Sequence, residues 1–145
     1  TEPLADDLTV LGRVGVELWA ASDATDTDFT AKLIDVYPPS ADYPTGFALN
    51  LTDGIFRCRF RHSFERAELV KPGEIMRLRI ELFATANLFR AGHRLRLDIS
   101  SSNFPKFDVN PNTGAPACLG RSRQVARNTV FLDGTRPSRL IVERL

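Results

Sequence analysis

Two histidines, two cysteines and one serine-bearing glycine run are where this chain could carry nucleophilic chemistry. Such chemistry needs a positioned Ser or Cys, a base within hydrogen-bond reach and an acid that orients the base. His62 follows directly on Arg57, Arg59 and Arg61, and His93 ends an Arg90-Ala91-Gly92-His93 turn. Both read as surface or turn residues rather than as bases. Gly120-Arg121-Ser122-Arg123-Gln124 comes nearest to the G-x-S-x-G elbow and fails at its last position. Phe56, Cys58 and Phe60 alternate, so Cys58 reads as a small hydrophobe on a buried strand face. A disulfide from Cys58 to Cys118 stays open, although one partner already reads as core.

Metal and ligand chemistry have thinner support. Asp23, Asp26 and Asp28 offer carboxylate oxygens of the kind calcium takes, but not at the spacing of an EF-hand loop. Aspartates that cap a turn ahead of a strand are the competing reading. No Cys/His cluster has zinc spacing and no glycine run cradles phosphate, so no cofactor is expected. Trp19, Tyr37, Tyr43 and Phe104 are rings on which a sugar could stack. Trp19 and Tyr37 interrupt strand patterns and read as packing inside, which leaves few rings for a ligand.

Strands must position these residues. Val14, Val16, Leu18 and Ala20 alternate with Arg13, Gly15, Glu17 and Trp19; Met76, Leu78, Ile80 and Leu82 alternate with Arg77, Arg79, Glu81 and Phe83. Leu95, Leu97 and Ile99 form another inward face, and Phe29 to Tyr37 is a mostly apolar strand ended by Pro38-Pro39. Phe47 to Leu51 and Ile55 to Arg61 flank Thr52-Asp53-Gly54, a hairpin-turn signal. Asn87 to Gly92 reads as a connection, and Val125 to Leu132 and Arg139 to Leu145 as the last strands. About eight strands without a sustained helical period predict one all-β domain over 1–145, an antiparallel β-sandwich.

One segment stands apart. From Ser100 to Gly114 two prolines, three asparagines and a terminal glycine exclude a helix or a central strand. Phe104, Phe107 and Val109 are too apolar for an idle solvated loop. The segment therefore reads as an ordered connection pinned by aromatics, the kind of loop on which function tends to sit.

Composition narrows the partners. A net charge of +1 gives no general attraction to nucleic acid or to an anionic membrane. No apolar run approaches the roughly 20 residues that span a bilayer. Lysine occurs only at Lys32, Lys71 and Lys106, and the remaining basic residues are arginines suited to ion pairs across β faces. The start, Thr1 to Asp7, has neither an initiator Met nor a signal-peptide pattern, as an excised piece would, and the cytoplasm is the expected compartment.

Leu18 to Val36, Asn50 to Arg57, Ala91 to Leu97 and above all Ser100 to Gly114 resemble segments of the cocaine esterase and X-prolyl dipeptidyl-peptidase family. The likeness covers nearly the whole chain, in the order of that family's C-terminal jelly-roll, or galactose-binding-like, domain. It implies a piece from the C-terminus of a serine hydrolase whose α/β-hydrolase domain carries a Ser-His-Asp triad. Substrates in the family include small esters, amides, acylated β-lactams and Xaa-Pro peptides. No triad residue maps onto this sequence. The implied partner is the catalytic domain of the same parent chain, and contacts can extend to further copies in a homo-oligomer. Asn103, Phe104, Phe107, Asp108 and Asn110 are the expected interdomain or pocket-facing set, with an internally satisfied turn as the competing reading for each. The family usually carries a strand segment ahead of the position of Thr1, so an edge beside the first residues is expected to lack its partner. A stand-alone carbohydrate-binding module and a self-assembling structural domain are the alternatives.

Overall fold

Cross-strand alternation builds the core. In the computed structural model, which describes residues 1–115 and 122–144, β1 (Leu8–Ser22) runs antiparallel to β4 (Met76–Phe89). Val14, Val16, Leu18 and Ala20 lie opposite Leu82, Ile80, Leu78 and Met76, and all eight side chains are buried. The other edge of β1 is shared by β6 (Asn128–Val130) and β7 (Arg139–Arg144). A second sheet, ordered β3-β2-β5, contains β2 (Asp28–Tyr37) between β3 (Phe47–Arg57) and β5 (Arg94–Ser100). Every pairing is antiparallel. Phe29, Ala31 and Leu33 of β2 join the inward side chains of β1 and β4 in one hydrophobic cluster, completing the expected sandwich.

Several expected boundaries move. β4 continues to Phe89, through the Asn87 region read as a connection. Gly12 pairs with Thr85 while Val14 pairs with Leu82, so β4 carries an extra residue at Phe83-Ala84. That bulge switches its inward positions from even to odd numbers and buries Phe89, which hides the strand from a strict alternation rule. Likewise no hairpin turn forms at Thr52-Asp53-Gly54, because β3 passes straight through it. Gly54 is there for a close approach: a Cβ at that position would sit 2.3 Å from the Glu81 carbonyl oxygen of β4. Thr52 Oγ1 donates to the Phe83 carbonyl at 2.8 Å, so β3 and β4 meet along a seam between the two sheets. The stretch from Val125 contributes three strand residues, Asn128–Val130.

Four side chains also differ from expectation. Trp19 lies half-buried on the outer face of β1, with the Arg77 guanidinium 5.8 Å from its ring centroid. Tyr37 packs at a strand end against Phe47 and His93, not between the sheets. His93 is buried, its Nδ1 2.8 Å from Oδ1 of the fully buried Asp35. Cys58 is buried as expected, but in a 3-10 turn, Cys58–Phe60, beyond the end of β3. Burial, reinforced by the negative charges of Asp26 and Asp28, pushes its thiol pKa well up. A Cys118 disulfide lies outside the described residues. The first residues lie beside the start of β5: Leu4 N donates to the His93 carbonyl at 2.8 Å and Leu95 N to Thr1 Oγ1 at 3.1 Å. Among the described residues no helix is long and apolar enough to cross a membrane.

Candidate functional site

The long loop after β5 is held at two places, both by polar side chains. At its base, Asp26 and Asp28 lie buried opposite Arg57 and Arg59 because β2 pairs with β3 through Asp28 and Arg57. Arg57 Nε and Nη2 each donate to Asp28 at 2.9 Å, a bidentate pair. The hydrogen bond to Asp28 raises the Arg57 pKa against the opposing effect of burial. Arg59 donates to Asp26 from its backbone N, Nε and Nη2 at 3.0, 2.9 and 2.7 Å. Asn110, 4% exposed, closes the network: its Nδ2 donates to Asp26 at 2.8 Å and Asp28 at 2.7 Å, and its Oδ1 accepts the Asn112 N–H at 2.9 Å.

This arrangement answers the question of Asp23, Asp26 and Asp28. Two of the three spend their oxygens on guanidinium and amide donors, and Asp23 accepts the Arg127 N–H at 2.8 Å. None caps a turn ahead of β2 in the way the spacing suggested. Among the described residues no group of His, Cys, Asp and Glu is gathered as a metal ion would require. Asn110 points into the domain rather than out of it, which removes it from the outward-facing set.

The tip of the loop is fastened to a different carboxylate. Asp53, on β3 at the seam and 5% exposed, accepts Asn103 Nδ2 at 2.8 Å and is ion-paired to Lys106. Burial alone would raise its pKa, but the hydrogen bonds from Lys106 and Asn103 outweigh burial and hold it below the ordinary carboxylate value. The Lys106 ammonium also sits 5.3 Å from the Phe83 ring centroid and 5.7 Å from that of Phe107. Phe107 N donates to the Asn103 carbonyl at 3.2 Å, closing a tight turn with a cis Phe104-Pro105 peptide inside it. Phe104 is thereby left 70% exposed, so it does not pin the loop.

Phe107 forms a ridge between two hollows. One, of about 340 Å3, is lined by Phe56, Phe60, Phe64 and Phe107 with Arg57 and Asp108 among its polar groups. The other, of about 360 Å3, has Asp53, Glu81 and Phe83 on its far side. Phe64 and Phe83, 79% and 67% exposed, stand on the two sides of the ridge and complete an apolar band. Sequence reasoning singled out Phe104, Phe107 and Asp108 here but missed Asp53, Lys106, Phe64 and Phe83. The Asp-x-Asp and Arg-x-Arg spacings of residues 26–28 and 57–59 were the one available signal for the network at the base.

No catalytic set assembles among the described residues. Exposed His62 lies 3.7 Å from Glu68, and His93 is engaged by Asp35; neither is hydrogen-bonded to a serine hydroxyl or to Cys58. Tyr43, a candidate ring under the alternative sugar-binding reading, is stacked on Phe47 with centroids 5.0 Å apart. Comparison with known proteins gives this non-catalytic sandwich its context. A model of the X-Pro dipeptidyl-peptidase C-terminal non-catalytic domain matches residues 1–141. The chain is 40% identical over 144 residues to the cocaine esterase of Rhodococcus sp. (strain MB1 Bresler), covering 98% of this chain and 24% of that protein. It superposes on an alpha-amino acid ester hydrolase with a TM-score of 0.94 at 32% identity, covering 100% of this chain and 25% of the other. An aminopeptidase from a marine sediment Thaumarchaeota archaeon gives a TM-score of 0.94 at 31% identity, with the same 100% and 25% coverage. The chain thus spans about a quarter of the length of these relatives. A β-sandwich that assembles no nucleophile and base in its described residues, and is matched almost end to end in this way, belongs to the X-Pro dipeptidyl-peptidase C-terminal non-catalytic domain family.

Proposed function

We propose that this domain packs on the catalytic α/β-hydrolase domain of its own parent chain and shapes the rim of that enzyme's substrate pocket. The observation that carries the reading is the exposed apolar band around Phe107, from which the fastened tip projects Phe104. Bands of this kind mark surfaces that a partner covers. Phe104, Phe107 and Asp108 form the facing set, while Asn103 and Asn110 hold the loop from within. The parent's chemistry is serine acylation followed by deacylation by water, carried by a triad in the other domain. Its substrates are esters or amides, the bond classes named for its relatives. This domain contributes packing, pocket shape and water exclusion, and turns over neither kind of bond by itself.

The test uses the full-length parent. Truncating a residue that is a hot spot of an interface costs about 2 kcal/mol or more. Phe104→Ala should therefore raise KM or lower the thermal midpoint while a fluorophosphonate probe still labels the serine in full. Lost labelling in a folded variant, or robust ester turnover by the 145-residue chain alone, overturns the proposal.

A further inference from the structure

Asp53 and Lys106 join the tip of the loop to β3. The two residues fastened to the Asp53 carboxylate, Asn103 and Lys106, are the immediate flanks of Phe104-Pro105. One carboxylate therefore holds both ends of the short segment that carries Phe104, the most exposed large hydrophobic side chain of the loop. Asp53 is itself a buried residue of a paired strand. It sits on β3 beside Gly54, where β3 lies against the β4 backbone, and Lys32 stands opposite it on β2. The Lys106 ammonium lies within about 6 Å of both the Phe83 and Phe107 ring centroids, at 5.3 and 5.7 Å, which favours the course its side chain takes to the carboxylate. The base of the loop is anchored separately, through Asn110 on Asp26 and Asp28. Releasing Asp53 would free the tip and leave the base in place.

We infer that Asp53 and Lys106 are positioning residues, a latch that presents Phe104 in one fixed orientation to the catalytic domain. The inference rests on the reading that Phe104 faces that domain. Its physical content is preorganisation: a latched tip meets its partner without the ordering cost a loose tip would incur on each encounter. A small displacement of a wall residue is enough to weaken substrate positioning without touching the reacting groups.

The experiment is steady-state hydrolysis of a 4-nitrophenyl ester by the full-length parent carrying Asp53→Asn, Lys106→Met, Phe104→Ala, and the Asp53→Asn/Phe104→Ala double substitution. The latch predicts a KM raised about fivefold in each single variant with kcat within about twofold, the split expected when a pocket wall loses binding contacts and the reacting groups stay in place. It further predicts that Asp53→Asn adds nothing in the Phe104→Ala background. Asp98→Asn, which breaks the exposed Arg96–Asp98 pair, should leave KM unmoved. Lys106 is half exposed, so Lys106→Met remains informative if Asp53→Asn fails to fold. If Phe104→Ala raises KM while Lys106→Met does not, or if the Asp53 and Phe104 effects simply multiply, the latch is wrong and the docking reading survives. If Phe104→Ala changes neither KM nor the thermal midpoint, the docking reading itself falls.

Discussion

Asn110→Ala tests whether the base of the loop is built inward. The substitution deletes two hydrogen bonds to buried carboxylates, at 2.8 and 2.7 Å, and removes the acceptor of the Asn112 N–H. Bonds to charged groups contribute about 1.5–3 kcal/mol each, so even the lower end gives about 3 kcal/mol for the pair. Asp26 and Asp28 keep their arginine partners, which argues against a larger loss. Half-buried Asn112 can turn its N–H to water. For a chain of this size about 3 kcal/mol corresponds to a midpoint lower by roughly 10 °C. Urea unfolding of the 145-residue chain, followed by the fluorescence of its single tryptophan, Trp19, measures it directly. Asn110→Asp should be worse than alanine, since it sets a third carboxylate against the first two and loses the donor at neutral pH. A surface asparagine would change stability by no more than about 0.5 kcal/mol. A loss below about 1 kcal/mol for Asn110→Ala would therefore refute the inward network as a stabilising element.

Gly54→Ala places a methyl group 2.3 Å from the Glu81 carbonyl oxygen, so the strands at the seam must separate. Overpacking of that kind costs about 1–3 kcal/mol, read in the same denaturation assay, and an unchanged midpoint would show that the seam yields freely. Asp53 supplies a pH signature. Its folded-state pKa is held below the ordinary 3.8, so its ion pair stabilises the fold above that value and is lost as pH falls through the folded pKa. The stability gap between the native chain and Asp53→Asn should be flat from neutral pH down to about 5 and close below about 4. A gap that widens on acidification would contradict the assignment.

The sandwich was legible wherever alternation ran unbroken, as in Val14 to Ala20, Met76 to Leu82 and Leu95 to Ile99. It was lost where one extra residue shifts the phase, since a period-two pattern carries no record of a bulge until the partner strand is known. Gly54 misled for a related reason. Glycine after Asp is a common turn signal, and only the nearness of β4 shows that this one exists to admit a backbone. The resemblance carried by Ser100 to Gly114 identified the family correctly, and the loop stood out on composition alone. Its fastening was not readable. Asp26 and Asp28 acquire partners only once the register sets Asp28 against Arg57, and Asn110 is an unlikely core residue until two carboxylates need its amide. Phe104, taken for a pin, is the part left outside.

The two edges of β1 have a temporal consequence. Its β4 edge can form as soon as residue 89 exists, but its other edge waits for residues 139–144, which pair with Val10 to Glu17. Contacts that close so long a stretch of chain are slow to form. During synthesis on a ribosome, the middle of this sandwich is therefore exposed along one side until nearly all of the 145 residues have emerged.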